Sequence, residues 1–227
     1  MNLPDIIKNF ERVPADIVAQ AAQYQPAILA DVAGRRGTLH GRITALRPRM
    51  KLAGPAFTVE VRPGDNLMVH AALALAKPGD VLVIDGKGDQ TCALVGTIVM
   101  AAAKQRGLAG MVMDAAVRDA LDIDALDFPV FSVGTNPNGP TKQLGGRIGH
   151  PVSVGGVTVN PGDFISGDAD GLVVIERAKI EALLPLASRK VAAEAKRIAE
   201  INKGNINAPW LNAALVSAGV LKDGETL

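Results

Sequence analysis

The residues with the clearest chemical potential are the adjacent Arg118 and Asp119, which Asp122 follows three positions later. They come directly after residues 110–117, an apolar run that predicts a buried strand. Because α/β sheets present functional side chains at strand ends, we expect the pair at the carboxyl edge of a sheet. A carboxylate there can hold a divalent metal while the guanidinium stabilises an anion. The alternative is an ion pair in a solvated turn.

The candidate metal ligands are oxygen donors. The three histidines, His40, His70 and His150, lie far apart and lack the spacing of a closed zinc site. Magnesium or manganese needs only one or two carboxylates, completed by water and substrate oxygens. Asp119 and Asp122 are therefore the natural ligands, on one side of a helical turn if the chain enters a helix there. His70 falls in an apolar helical run and is predicted to be an interior or interface residue.

Other catalytic chemistries find little support. There is no G-x-S-x-G motif and no serine or cysteine beside a histidine, which disfavours an activated nucleophile. The glycine-rich residues 85–89 match neither a dinucleotide loop nor a P-loop. Lys87 and Lys142 fall in predicted loops, where we expect solvation. Cys92 is the only cysteine, so it cannot form an internal disulfide, and we expect it to serve packing.

The elements that must position the pair alternate between helix and strand. The chain has 227 residues, of which 48% are hydrophobic and 3% aromatic, so we predict one α/β domain with an aliphatic core and a C-terminal tail at 204–227. We predict helices at 14–24, 67–77, 93–106 and 177–202, strands at 55–62, 81–85, 110–117, 128–133, 151–154, 157–159, 164–166 and 171–175, and a long surface loop at 134–150.

Charge and hydropathy narrow the range of partners. The net charge of +1 disfavours a nucleic-acid-binding surface. No apolar stretch approaches the roughly 20 residues that a bilayer span needs, and the N-terminus lacks a secretory signal pattern. We therefore expect a cytoplasmic protein with neither a nucleic-acid nor a membrane partner.

Several short motifs occur in a characteristic order between residues 10 and 204. Together they resemble the RraA-like family, which contains metal-dependent (class II) pyruvate aldolases. The resemblance implies an α/β sandwich of the swivelling β/β/α type, with a mixed sheet and a long C-terminal helix. It also implies a homotrimer or homohexamer with sites between subunits. The motifs are Gly64-Asp-Asn-Leu-Met-Val-His70, Pro78-Gly-Asp-Val-Leu-Val83, Ala93-Leu-Val-Gly96, Arg106-Gly-Leu-Ala-Gly110, Asp114-Ala-Ala-Val-Arg-Asp119, Phe128-Pro-Val130 and Gly167-Asp-Ala-Asp-Gly171.

The resemblance assigns roles to the strand-end residues. The family's aldolases carry Arg-Asp-x-x-Glu/Asp, which Arg118-Asp119-Ala-Leu-Asp122 satisfies. By resemblance, Asp119 is the direct metal ligand, with Asp122 beside it, and Arg118 meets the keto-acid end of the substrate. The implied cofactor is Mg²⁺ or Mn²⁺.

One position departs from the family pattern. Thr97 stands where the aldolases have glycine or aspartate, with Gly96 next to it. The resemblance implies that backbone N–H groups of Gly96, Thr97 and Ile98 bind the substrate carboxylate, as a helix N-terminus does whatever its side chains. An acidic side chain that would orient a water molecule or a proton is absent at this position.

A glutamate from an adjacent subunit completes the aldolase site in the resembling proteins. Glu194 matches it best and Glu200 second, while an ordinary surface pair of Glu194 with Arg197 is the alternative.

The implied reaction cleaves 4-carboxy-4-hydroxy-2-oxoadipate or 4-hydroxy-4-methyl-2-oxoglutarate to pyruvate and a second oxo acid, with oxaloacetate decarboxylation through the same enolate. The alternative function is that of the family members that bind and inhibit ribonuclease E, which lack a complete metal-binding signature.

Overall fold

The computed structural model describes residues 5–227, along which helices and strands alternate. The helices are α1 Ala15–Ala21, α2 Pro26–Val32, α3 Leu67–Leu75, α4 Thr97–Gln105, α5 Ala120–Leu126, α6 Ile180–Asn202 and α7 Leu211–Ser217. The strands are β1 Thr44–Ala45, β2 Leu52–Glu60, β3 Val81–Val95, β4 Gly110–Val117, β5 Val130–Ser132, β6 Gly134–Thr135, β7 Arg147–Ile148, β8 Val152–Val154, β9 Val157–Val159, β10 Phe164–Asp168 and β11 Gly171–Ile175.

Nine of these strands form one mixed sheet, whose main path is β1-β5-β4-β3-β2-β10-β11. The central strands β2, β3, β4 and β5 run parallel to one another. Strands β1, β7, β10 and β11 pair antiparallel at the flanks, and β8 and β9 form a separate hairpin. The predicted α/β class, with a mixed sheet and a long C-terminal helix, is confirmed.

The core lies on both faces of the parallel strands. Leu82 and Ile84 of β3 pack with the helices α3 and α4, whereas Val81 and Val83 pack with the β8–β9 hairpin and β10. All residues of β4 are buried. Strands covered on both faces are continuous apolar runs in sequence, which is why β4 was predictable.

Two element predictions need correction around the glycine-rich segment. Strand β3 continues past residue 85 to Val95, with register shifts against β4, and α4 begins at Thr97 rather than at residue 93. A Cβ atom at Gly86 would lie 2.6 Å from the Cβ atom of Ala115, so glycine allows the irregular strand to stay against β4.

Other differences concern short elements. Helices α2 and α5 have seven residues each and were not predicted. The predicted loop at 134–150 contains the two-residue strands β6 and β7. No helix within residues 5–227 has both the length and the apolar character needed to cross a membrane.

The chain divides into two compact units, of which the second is Ser188–Leu227. This C-terminal unit contains most of α6 and all of α7, and none of its residues is buried. Its exposed apolar side chains include Ile198, Ile206 and Trp210. Within the unit, Arg197 donates hydrogen bonds to the carbonyl oxygens of Asn205 and Ile206.

Candidate functional site

Arg118 and Asp119 lie at the carboxyl end of β4, as the sequence predicts. The backbone N–H of Arg118 donates to the carbonyl oxygen of Val95, at the end of the neighbouring β3, over 3.0 Å. Asp119 then takes up a left-handed backbone conformation, with φ of 61° and ψ of 40°, and begins α5. Few non-glycine residues other than aspartate and asparagine adopt this conformation, and those that do are concentrated at functional sites.

Gly96 and Thr97, at the junction of β3 with α4, lie against the side chain of Asp119. The backbone N–H of Thr97 donates to Oδ2 of Asp119 over 3.0 Å. A Cβ atom at Gly96 would lie 2.3 Å from the same oxygen, so a side chain at this position would displace the carboxylate. The φ of Gly96 is −143°, a value open to every residue, so the contact with Asp119 is what requires glycine.

A cavity of about 110 Å³ opens beside this pair. Of the predicted site residues, Arg118, Asp119, Gly96 and Ile98 line it. Six further residues complete the lining: Asn66, His70, Val95, Val99, Pro140 and Lys142.

Two of those lining residues had no predicted role in the site. His70 is exposed and lines the cavity, so it is not an interior residue, while its position at an interface stays a prediction. Lys142 is exposed in a loop, as predicted, and it lines the same cavity. No spacing signal in the sequence connects either residue with Arg118, because α3 and the loop before β7 come together with β4 only in the folded chain.

Asn66 and Thr97 carry buried acceptors without partners. The amide nitrogen of Asn66 donates to the carbonyl oxygen of Leu94 over 2.9 Å, and its side chain is 3% exposed. Neither Oδ1 of Asn66 nor Oγ1 of Thr97 has a hydrogen-bond partner within residues 5–227. An unsatisfied buried polar atom costs about 1–3 kcal/mol, so a ligand or water that donates to it stabilises the site.

Asp65 fixes two of the segments that line the cavity. Its buried carboxylate accepts hydrogen bonds from the backbone N–H of Leu67, the hydroxyl of Thr141 and the backbone N–H of Gln143. Burial raises the pKa of this carboxyl, but the hydrogen bonds, that of Thr141 foremost, outweigh it and lower the pKa to about 2. The ionised carboxylate thereby ties the loop that carries Lys142 to the start of α3.

The remaining predicted residues lie as follows. Asp122 is exposed in the first turn of α5 and is not among the residues that line the cavity. Glu194 belongs to the C-terminal unit, where it pairs with Lys190 at 3.0 Å. The predicted surface partner of Glu194, Arg197, instead binds backbone carbonyl oxygens. The N–H of Thr97 is committed to Asp119.

The donor set suits a hydrated oxygen-ligated cation. Oδ1 of Asp119 has no hydrogen-bond partner in the described part of the chain, and the carboxylate is 38% exposed. Residues 5–227 contain no group of three or more His, Cys, Asp or Glu placed to hold a metal. Mg²⁺ requires no such cage, because one or two carboxylates with water and substrate oxygens suffice.

The mixed α/β sheet places an Arg-Asp turn beside an open cavity, an arrangement that can bind a cation and a small anion together. The sequence model of one family, described as RraA-like: Aldolase/RraA, matches residues 15–174. The chain belongs to the RraA-like family.

Relatives of this chain include named proteins and solved structures. A protein of Halalkalibacterium halodurans named "Putative 4-hydroxy-4-methyl-2-oxoglutarate aldolase" is 41% identical over 182 residues, 80% of this chain and 87% of the relative. Streptomyces coelicolor RraAS2, described as an unusual member of the RNase ES inhibitor RraA protein family, is 28% identical with a TM-score of 0.76, over 83% of this chain and 99% of its own. An uncharacterized protein from Pseudomonas syringae shares the fold at 23% identity and a TM-score of 0.76, over 86% of this chain and 96% of its own.

Proposed function

We propose that this protein is a metal-dependent lyase that cleaves a 4-hydroxy-2-oxo acid to pyruvate and a second oxo acid. The observation that carries the proposal is the Arg118-Asp119 turn, held against Gly96 at the edge of a cavity. The name of the Halalkalibacterium halodurans relative supports 4-hydroxy-4-methyl-2-oxoglutarate as a substrate. 4-Carboxy-4-hydroxy-2-oxoadipate is the second proposed substrate, with oxaloacetate decarboxylation as a side activity.

Asp119 is the proposed ligand of Mg²⁺ or Mn²⁺, through its unpartnered Oδ1. Asp122, within the first turn of α5, is a second proposed ligand through an intervening water. When bound, the cation supplies a Lewis acid for the 2-oxo group of the substrate.

The protein's own groups bind and polarise the keto acid. Arg118 places a permanent positive charge beside the cavity, where it stabilises negative charge that develops on the enolate oxygen. The start of α4 supplies backbone donors for the substrate carboxylate. Because the N–H of Thr97 is used by Asp119, those donors are the N–H groups of Gly96 and Ile98.

The end of the substrate away from the 2-oxo group is proposed to contact Lys142 and Asn66, which the sequence did not predict as site residues. Lys142 offers a cation for a second carboxylate, and Oδ1 of Asn66 accepts a hydrogen bond from the substrate hydroxyl or from water. Glu194 of an adjacent copy is the proposed base that takes the hydroxyl proton.

Assembly as a homotrimer or homohexamer is part of the proposal. A cavity of about 110 Å³ is small beside ligand pockets of roughly 300–1,000 Å³, so a second surface has to enclose the substrate. Ile98, which lines the cavity, and Leu121, two residues after Asp119 in α5, are 83% and 77% exposed and are apolar side chains that such a surface would cover.

The test is pyruvate release coupled to lactate dehydrogenase, from the two hydroxy-oxo acids and oxaloacetate, with Mg²⁺ or Mn²⁺ and again with EDTA. We expect metal-dependent release that Arg118→Lys abolishes, since a lysine cannot reproduce the planar guanidinium. The matched control is Arg106→Lys, an exposed arginine at the end of α4. No release from any substrate would overturn the proposal, and capture of ribonuclease E would then favour the inhibitor function.

A further inference from the structure

A second cavity, of about 700 Å³, lies at the end of β2 and contains three cationic side chains. Arg62 follows the last residues of β2, Lys87 comes from the irregular part of β3, and Arg147 belongs to β7. The proposed lyase reaction uses none of these residues. We call this cavity the basic basin.

Lys87 is held in place by two carboxylates. Its ammonium group lies 2.6 Å from Oδ2 of Asp85 and 3.1 Å from Oε1 of Glu60. Lys87 adopts a left-handed backbone conformation with φ of 63°, in which glycine would be less strained. The two ion pairs fix the position of the ammonium group, whose single positive charge offsets one of the two carboxylate charges.

This arrangement leaves the two arginines without ion pairs. Glu60 lies opposite Arg147 in the antiparallel pairing of β2 with β7, so it is the natural partner of that guanidinium. Glu60 pairs with Lys87 instead, and within residues 5–227 neither Arg62 nor Arg147 makes a salt bridge or a side-chain hydrogen bond. Two guanidinium groups thus line one cavity with their donors free.

We propose that the basic basin binds a small dianion, a dicarboxylate or a phosphate, at a site separate from the Arg118-Asp119 cavity. Guanidinium groups bind carboxylate and phosphate through paired hydrogen bonds, and Arg62 and Arg147 supply two such groups from different segments. Asp5 also lines the basin. Its carboxylate repels every anion, so the preference for a dianion rests on the two arginines, because a dianion binds both guanidinium groups at once and a monoanion does not.

The test is isothermal titration calorimetry of the full-length protein with inorganic phosphate and, separately, with succinate, in metal-free buffer at mildly alkaline pH. Acetate at matched ionic strength is the monoanion control. We expect saturable binding of at least one dianion, and the comparison of the two identifies the preferred chemistry. Acetate that binds as tightly as both dianions would overturn the proposal.

Variants assign the binding to the basin. Arg62→Gln and Arg147→Gln should each raise Kd about tenfold, equivalent to about 1.4 kcal/mol, and the double variant should lose binding. Lys87→Gln should also weaken binding, because it frees Glu60 to pair with Arg147. The exposed Arg106→Gln is the matched control and should bind as the wild type does.

Two further results would overturn the proposal. If Arg118→Ala abolishes dianion binding while the double variant retains it, the anion occupies the Arg118-Asp119 cavity instead. If size-exclusion chromatography shows that the double variant changes its oligomeric state, the arginines meet protein carboxylates rather than a small ligand. Both readouts are independent of lyase activity, so the lyase proposal and the basin proposal fail separately.

Discussion

Gly96→Ala places one methyl group where the structure has no room for it. The new Cβ atom would lie 2.3 Å from Oδ2 of Asp119 and 3.0 Å from Cγ of Arg118. Ordinary van der Waals contact begins near 3.4 Å, so the carboxylate has to move by about 1 Å. Because that oxygen accepts the N–H of Thr97, the movement also breaks the hydrogen bond that orients it.

The size of the effect follows from this displacement. Loss of a hydrogen bond to a charged group costs about 1.5–3 kcal/mol. A misplacement of about 1 Å in a catalytic group lowers the rate by about 10²-fold. We therefore expect kcat/KM for pyruvate release to fall about 100-fold, close to 2.7 kcal/mol of transition-state stabilisation.

The assay is the lactate-dehydrogenase-coupled reaction with saturating metal, alongside chemical denaturation of the same samples. Gly41→Ala is the matched control, since a Cβ atom at Gly41 would meet nothing within 4 Å. The control should retain both activity and stability. If Gly96→Ala retains wild-type kcat/KM, the position of the Asp119 carboxylate does not limit the reaction, and the reasoning is refuted.

Three further variants test neighbouring parts of the structure. The pKa of Asp65 in the folded protein is about 2, below its ordinary 3.8. The ionised carboxylate therefore adds about 2 kcal/mol to the free energy of unfolding above pH 4, and this stabilisation is lost as the pH falls towards 2. In urea denaturation, the free energy of unfolding should fall with decreasing pH in the wild type and fall less steeply in Asp65→Asn. Gly86→Ala should destabilise the fold by about 1–3 kcal/mol, because its Cβ atom would meet that of Ala115 at 2.6 Å, and an unchanged denaturation midpoint would contradict this. Asp127→Gly should stabilise the folded protein by roughly 0.5–1 kcal/mol without loss of activity, because Asp127 follows α5 with a φ of 50°, a conformation that glycine adopts without strain. A lower melting temperature of the variant would contradict the inferred backbone strain at this position.

The parts of the fold that the sequence predicts are those with a local cause. Strand β4 is apolar throughout because both of its faces are covered, and the charged pair after it marks where the strand ends. The segment 93–95 is different, because a short apolar run suits a helix or a strand equally well. Pairing of Ala93 and Val95 with β4 makes it strand, a contact that local sequence does not report.

The cavity was less predictable than the pair that lines it. Asn66, His70 and Lys142 reach it through the packing of α3 and through the hydrogen bonds of Asp65 with Thr141. These contacts join segments more than 70 residues apart, as the 76-residue separation of Asp65 and Thr141 shows. Sequence spacing carries no information on such contacts, so only the folded chain identifies these residues.

The left-handed conformation of Asp119 explains how two consecutive charged residues serve one cavity. In a continuing strand, the side chains of Arg118 and Asp119 would point to opposite faces of the sheet. Both line the same cavity because the chain turns at Asp119, whose φ is 61°. Aspartate is among the few non-glycine residues that adopt this conformation readily. Its carboxylate then accepts a hydrogen bond from the N–H of Thr97, and the absence of a side chain at Gly96 leaves room for the carboxylate. The residue that the proposed chemistry needs as a ligand is therefore also one that the turn accepts.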